Sequence, residues 1–176
     1  MVGQAFSISA ANYVSTSTNS FPIGMGARTI ELWARISSVG DAVDPQTFVE
    51  YGTLGTAQQS FILFAGAKSH TDFTSWDGGL ASGDAGALAT DTWYHLAITT
   101  SGSTVRLYVN GSNVASATVT FSTPGSSTFF IGGAGTVGPA DFRLLGLADE
   151  VTVYNRELTV TEIAGIYAAG SAGKCP

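Results

Sequence analysis

Apolar residues recur along this chain in short runs of strand length, which either alternate with polar residues or are uninterrupted. Clusters of Gly, Ser, Asp and Pro separate the runs, and this arrangement is typical of an antiparallel β-sandwich or barrel. The pattern predicts strands at AFSIS, NYVS, ARTIELWARI, TFVEYG, SFILFAG, HTDFTSW, WYHLAITT, TVRLYVN, NVASATVTF, TFFIGG, DFRLLGL and ADEVTVYN. The segments DAVDPQ and TVGPAD are predicted to be irregular loops.

The segment YVNGSNVA carries the strongest local signal in the chain. Asn110 and Gly111 suit a two-residue hairpin turn because both positions accept a positive φ. We therefore predict a hairpin in which residues 104–109 pair directly with residues 112–120.

One helix is predicted, at LTVTEIAGIYAAG near the C-terminus. Thr159 can cap this helix and Glu162 completes a capping box, while Leu158 and Ile163 can form a hydrophobic staple. The pattern predicts a single short helix over residues 160–169.

The end of this helix also predicts the end of the domain. Gly170 supplies a C-terminal stop, because glycine accepts the left-handed conformation that often ends a helix. We therefore expect a single domain over residues 1–170 and a tail or the start of a linker over residues 171–176.

Three predicted strands carry a polar and aromatic face opposite their apolar one. In TIELWARI, WYHLAIT and VRLYVN, one phase of the alternation is apolar and the other is mixed. If the three strands share a sheet, its outer face gathers Glu31, Trp33, Arg35, Trp93, His95, Arg106 and Tyr108. Aromatic rings bind the C–H faces of sugars and planar polar groups bind their hydroxyls, so this face is a candidate glycan platform. Alternatively, the two tryptophans pack under loops and Glu31 pairs with Arg35 as an ordinary surface ion pair.

Trp76 is a separate candidate, because it precedes Asp77, Gly78 and Gly79 where a strand is predicted to turn. A tryptophan in a loop serves either as a platform for a ligand or as a lid on the core. The residues alone leave both interpretations open.

Asp149 stands at a position in LLGLADEVTVYN where an apolar residue is expected. In a regular strand it shares a face with Leu147, Val151 and Val153, since side chains alternate. A carboxylate buried among these residues needs a hydrogen bond, an ion pair or a metal.

Composition excludes several classes of partner. Charged residues make up 11% of the 176 residues and the net charge is -6, so we expect no sequence-independent affinity for nucleic acid or anionic lipid. The single cysteine, Cys175, permits no internal disulfide.

The chain carries no apolar run long enough to span a bilayer, and MVGQAFSISA lacks the features of a signal peptide. We therefore expect no membrane insertion. Because Met1 is followed almost directly by a strand, we expect a domain cut from a longer polypeptide, with any export signal upstream.

The order of motifs resembles a known family. The segments RTIELWARI, DTWYHLAITTSGSTVRLYVNGSNVAS, FFIGG and LLGLADEVTVYNRELTVTEIAGIYAAGSAGKC follow one another as in laminin-G-like jelly-roll domains of the concanavalin A-like lectin/glucanase superfamily. The resemblance implies an all-β, antiparallel two-sheet jelly-roll sandwich with one short C-terminal helix. It also implies a carbohydrate ligand and an extracellular or cell-surface location.

The resemblance further implies a structural calcium ion. An aspartate at the start of the last strand binds calcium in related domains, together with backbone oxygens of the first strand, and Asp149 matches that position. Residues near Ser9 would supply the backbone oxygens, although Ser9 and Asn12 stand where the family often has acidic residues. The alternative is that Asp149 accepts hydrogen bonds from backbone N–H groups.

Catalysis is not expected. A retaining glucanase of the superfamily carries a Glu-x-Asp-x-x-Glu strand, which this chain lacks. The sequence also lacks a Gly-x-Ser-x-Gly elbow, a nucleotide-binding glycine loop and a His/Cys cluster at zinc spacing. His95 with Arg106 or Arg35 is the one candidate group for a polysaccharide lyase.

The sequence therefore predicts a non-catalytic recognition module of a larger secreted or surface protein, with a glycan or cell-surface polysaccharide as its ligand. The alternative from another class is a structural or protein-binding adhesion module without affinity for glycans.

Overall fold

The computed structural model describes residues 4–39, 45–133 and 142–170. The predicted loops DAVDPQ and TVGPAD lie mostly or wholly outside the described residues, as does the predicted tail at residues 171–176 with Cys175.

The described residues form a sandwich of two antiparallel sheets with six strands each. In spatial order, the first sheet contains β1 (Phe6–Ile8), β12 (Gly146–Tyr154), β3 (Arg28–Ile36), β8 (Trp93–Ser101), β9 (Thr104–Val109) and β10 (Ser112–Thr118). The second sheet contains β2 (Val14–Ser17), β11 (Thr128–Ile131), β4 (Gln46–Gly52), β5 (Ser60–Ala65), β6 (Thr71–Thr74) and β7 (Gly79–Ala81). The predicted jelly-roll sandwich is confirmed.

A helix, α1 (Val160–Ala169), follows the last strand. Thr159 and Glu162 form the predicted capping box, and the two staple residues, Leu158 and Ile163, are buried in one cluster. No helix in the described part of the chain is long and apolar enough to cross a membrane.

The predicted hairpin is also confirmed. β9 and β10 pair through a turn in which Asn110 and Gly111 have φ values of 50° and 77°. β10 ends at Thr118, earlier than predicted, and carries a bulge between Asn113 and Ala115.

Two other segments differ from the prediction. DFRLLGL contributes to a strand only from Gly146 onward, where it continues into ADEVTVYN as β12. The short strand β7, which pairs with β6, was not predicted because GLA carries no alternation.

The core lies between the sheets and is lined by the apolar phases of their strands. Ile30, Leu32, Ala34 and Ile36 all belong to it, as the alternation in β3 predicts. In β4 both Phe48 and Val49 reach the core, because a bulge between Thr47 and Val49 reverses the phase.

Arg28 is a charged residue that is fully buried. Its guanidinium donates to the Thr123 hydroxyl and to the Gly24 carbonyl, each at 2.8 Å, and also to the Tyr51 hydroxyl. Burial raises the pKa of Tyr51, and the neighbouring Arg28 partly offsets that shift. Arg28 thus anchors the loop before β3 to the aromatic core.

Candidate functional site

The predicted polar and aromatic residues of the first sheet do lie on one face. Trp33 pairs with His95 across β3 and β8, and Glu31, Ala97 and Tyr108 form one row across β3, β8 and β9. The strand-level prediction of which side chains share a face is therefore confirmed.

That face, however, is covered by α1. Leu158 and Ile163 pack against Ala97 and Tyr108, and the Tyr167 ring stacks on Trp33 with 5.9 Å between ring centroids. The four central side chains of the predicted platform are buried: Glu31, Trp33, His95 and Tyr108. The expectation that these four form an open platform is corrected: the apolar face of the short helix needs a partner, and this sheet face supplies it.

Glu31 and His95 form a buried polar pair beneath the helix. Both side chains are 0% exposed, and His95 Nε2 lies 3.2 Å from Glu31 Oε2. Tyr154 donates its hydroxyl to Glu31 Oε1 at 3.4 Å. Buried polar groups are usually hydrogen-bonded, and these hydrogen bonds join β3 to β8 and to β12 beneath the helix.

The other three predicted residues of this face lie outside the helix. Arg35 pairs with Asp91 at 2.7 Å, so the alternative pairing of Arg35 with Glu31 is wrong. Trp93 is half-buried beside Arg35 in the register, and Arg106 forms an ion pair with Glu157. Each of these arginines has an acidic partner within the protein.

Asp149 does not face the core. It lies directly opposite Trp33 in the register, whereas Ala148 is a core residue. A bulge between Asp149 and Thr152, with Glu150 at φ 51°, reverses the alternation so that Val151 and Val153 pack against the core instead. The predicted shared face of Asp149 and these valines is therefore wrong, because a bulge adds one residue to the strand.

The predicted calcium ligands do not come together. Ser7 pairs with Leu147 and Ile8 with Gly146, so Ser9 falls opposite position 145, about 13 Å along the strand from Asp149. Asp149 Oδ1 instead accepts the backbone N–H of Glu150 at 2.9 Å. Among the described residues, no three or more His, Cys, Asp or Glu side chains form a group that could hold a metal. The pair of Asp149 and Ser9 thus does not fit a calcium site, and calcium binding by this chain stays a prediction.

Trp76 stands on the opposite outer face of the sandwich, at the turn between β6 and β7. Its side chain is 43% exposed, so the alternative of a lid on the core does not hold. The backbone adopts φ 77° at this residue, a conformation that costs a bulky side chain about 1–3 kcal/mol.

Hydrogen bonds hold the turn in this shape. The Trp76 N–H donates to the Thr74 hydroxyl at 3.0 Å, and Ser75 N–H donates to the Gly78 carbonyl at 2.8 Å. The Ser75 hydroxyl also donates to the Thr120 carbonyl at 3.1 Å. The exposed indole is therefore presented by a fixed turn.

A shallow groove of about 80 Å³ lies beneath the indole, on the outer face of the second sheet. Glu50, Ile62 and Thr74 form one row across β4, β5 and β6, and Thr47 and Phe64 form the next. We call this surface the Trp76 groove and define it by its described lining: Pro45, Thr47, Glu50, Leu54, Ile62, Phe64, Thr74, Trp76 and Phe142.

Two more aromatic rings continue the same face. Phe130 pairs with Glu50 across β11 and β4, and the exposed Tyr13 ring meets Phe130 edge-on at 5.5 Å. The Arg143 guanidinium lies 5.1 Å over the Tyr13 ring. An aromatic and polar strip of this kind offers ring faces for stacking and hydroxyl and carboxylate groups for hydrogen bonds.

Sequence reasoning singled out Trp76 but none of the other groove residues. The run SFILFAG is apolar throughout, so alternation cannot show that Ile62 and Phe64 point outward. Glu50 interrupts the apolar run TFVEYG, and this was the available signal for an outward face in β4.

Comparison with known proteins gives one family and many similar folds. A laminin-G family model described as the concanavalin A-like lectin/glucanases superfamily matches residues 9–164. No match was found among curated protein sequences.

Three solved structures illustrate the likeness. The CBM40 of Ruminococcus gnavus IT-sialidase, bound to α2,6-sialyllactose, has a TM-score of 0.69 at 16% identity, over 93% of this chain and 96% of that one. Domain 4 of AbnA, a GH43 extracellular arabinanase from Geobacillus stearothermophilus, was solved in complex with arabinotriose and has a TM-score of 0.64 at 20% identity, over 84% and 68% of the two chains. A candidate carbohydrate binding protein from Bacteroides ovatus has a TM-score of 0.69 at 20% identity, over 95% of this chain and 48% of that one, so the present chain spans about half its length. At these identities the likeness shows a shared fold.

Proposed function

Because the chain belongs to the concanavalin A-like lectin/glucanases superfamily, we propose that it is a non-catalytic carbohydrate-binding module whose ligand lies in the Trp76 groove. The observation that carries this proposal is the exposed indole of Trp76, which a hydrogen-bonded turn holds at a strained φ of 77° above a polar and apolar groove. Strained residues cluster at ligand sites, because the binding surface must be formed before the ligand arrives.

The position of the groove supports the same proposal. One outer face of the sandwich is closed by α1, whereas the face that carries Trp76 is accessible at this residue. A sugar ring can stack on the indole while its hydroxyls meet Thr74, and Thr47 and Glu50 lie deeper in the lining, at 4% and 7% exposed. Two solved structures of the same fold contain oligosaccharides, arabinotriose in one and sialyllactose in the other.

The number of carboxylates in the described lining of the groove supports a non-catalytic role. Glycoside hydrolysis uses two carboxyl groups that flank the scissile bond, about 5–5.5 Å apart for retention and about 6.5–9.5 Å apart for inversion. Within the described lining Glu50 is the one acidic side chain. One carboxylate supplies half of that machinery.

We also propose that the module serves a larger secreted or surface protein, where it directs the attached protein to a glycan or cell-surface polysaccharide. The weakly charged surface, with a net charge of -6, fits this role better than binding to nucleic acid. Expression of the complete reading frame and fractionation of the cells would test the location directly.

The substitution Trp76→Ala tests the site. On an array of oligosaccharides that includes arabinotriose and sialyllactose, we expect the wild-type protein to bind at least one glycan, and Trp76→Ala to weaken that binding by about tenfold or more. Trp76→Phe keeps a ring at the turn and should retain part of the affinity.

Tyr167→Ala is the matched control, because Tyr167 is a similarly exposed aromatic residue, at 38%, on the other outer face. This variant should bind as the wild type does. The proposal fails if Trp76→Ala binds normally while Tyr167→Ala loses binding, or if the folded wild-type protein binds no glycan.

A further inference from the structure

The charge of the Trp76 groove points to a class of ligand. Its described lining contains one ionisable side chain, Glu50, and contains no lysine, arginine or histidine. Asp77 follows Trp76 on the exposed turn, outside the described lining. A glycan in this groove therefore meets acidic, hydroxyl and apolar groups.

The arginines in the described part of the chain lie outside the described lining. Arg143 follows the lining residue Phe142 and its backbone pairs with Thr47, but its guanidinium lies over the Tyr13 ring. Arg28 is buried in the core, where loop carbonyls and hydroxyls accept its hydrogen bonds. Arg35, Arg106 and Arg156 belong to the first sheet and its helix, where they pair with Asp91, Glu157 and Glu162. Lys68 lies in the turn between β5 and β6, outside the described lining.

An anionic sugar would be poorly accommodated here. Its carboxylate would lose water on entering the groove and would gain no positive partner from the described lining, and removing a charge from water without such a partner is costly. The net charge of -6 adds a long-range repulsion. A neutral sugar meets neither cost, because it carries no charge that would lose its hydration or be repelled.

We infer that the Trp76 groove selects neutral glycans over sialylated and uronic-acid glycans. This inference rests on the proposed function, since it names the ligand class of the same site. It separates the chain from the sialyllactose-bound CBM40 of the same fold, with which it shares 16% identity.

Matched pairs of ligands test the inference on the unmodified protein. Each acidic glycan, such as sialyllactose or an oligogalacturonide, is compared with its methyl ester, which has the same ring without the charge. The expected result is that all Trp76-dependent binding is to neutral glycans, and that any acidic glycan binds at least tenfold more weakly than its ester. An acidic glycan that binds through Trp76 and loses affinity on esterification would overturn the inference while leaving the proposed function intact.

A gain-of-charge variant adds a second readout. Leu54 is half-buried on the groove lining, so Leu54→Lys places a cation at the site, and Leu54→Gln is the matched neutral control. Leu54→Lys should strengthen binding of acidic glycans several-fold in a salt-sensitive way, and Leu54→Gln should not. An equal effect of the two substitutions on acidic glycans would contradict the charge argument. Absence of any Trp76-dependent binding to any glycan would instead overturn the proposed function, and this inference with it.

Discussion

Asp149 stabilises a bend in β12 through the backbone that follows it. Its Oδ1 atom accepts the N–H of Glu150, the residue that adopts a left-handed conformation at the bulge. Side chains that bond to their own backbone often fix such local distortions. Asp149, which is 8% exposed, thus has a hydrogen-bond partner within its own strand.

We predict that Asp149→Ala lowers the free energy of unfolding by about 2 kcal/mol, as expected for a hydrogen bond to a charged group. The loss should be the same in calcium and in a chelator, because Asp149 and Ser9 do not meet. Thermal and urea denaturation of both proteins in each buffer measures it. A loss confined to the calcium buffer would instead support the calcium role that the family resemblance implies.

The sequence predicted residues well where their role follows from a regular pattern and poorly where it depends on an irregularity. The alternation in β3 places Arg28 in the same phase as Ile30 and Leu32, so the burial of Arg28 could have been predicted from the sequence. Its partners Thr123 and Gly24 lie in loops, however, and alternation carries no information on loops. The phase of Asp149 was mispredicted for a related reason, since one extra residue in the strand reverses every side chain beyond it.

At the scale of elements, α1 begins with an extended network of polar contacts. Glu162 accepts the Thr159 backbone N–H at 2.8 Å and receives two hydrogen bonds from Arg156, at 2.7 Å and 3.0 Å. These contacts lower the pKa of Glu162 from its ordinary 4.5 to about 2, and the hydrogen bonds from Arg156 make the largest contribution.

This depressed pKa predicts a pH-dependent contribution of Glu162 to stability. The carboxylate is ionised in the folded protein at pH values where it is already protonated in the unfolded chain, so its contribution is present above pH 4.5 and is lost as pH falls toward 2. We expect the melting temperature of the wild-type protein to exceed that of Glu162→Gln at pH 6, and the difference between the two melting temperatures to decrease between pH 4.5 and pH 2. Paired thermal melts across this range provide the test, and a gap that is constant with pH would contradict it.

The start and end of α1 were predictable, but the surface that it covers was not. Capping residues are local in sequence, so Thr159, Glu162 and Gly170 suffice to define the helix. Docking is a tertiary property, because Tyr167 stacks on Trp33 from 134 positions earlier in the chain. The sequence therefore predicted a ligand platform on the mixed face of the first sheet, although α1 packs against the centre of this face.

At the scale of the whole molecule, the two outer faces of the sandwich differ in chemistry. The first is closed by α1 over a buried Glu31 and His95 pair, and the second carries the Trp76 groove. The fold class followed from the spacing of apolar runs, and the assignment of faces did not, since SFILFAG and TFFIGG in the second sheet are apolar on both sides.

We predict that the protein releases no products from arabinan, β-glucan, alginate or pectin above a buffer control. The physical reason is that Glu50 has no second acidic side chain in the described lining of the groove. Reducing-end and unsaturated-product assays after prolonged incubation measure this. Product formation that disappears in Glu50→Gln would show that the module is an enzyme and would identify its acid or base.

The packing of α1 against the first sheet also determines how the protein can be oriented when it is attached to a solid support. Thr161 and Ala164 are exposed on the helix, on the side of the sandwich away from Trp76. A biosensor chip or a resin coupled at either position would hold the protein by the side that carries α1, with the Trp76 indole facing the solution. Coupling at Leu54, in the turn between β4 and β5, would instead obstruct the groove, because Leu54 belongs to its lining.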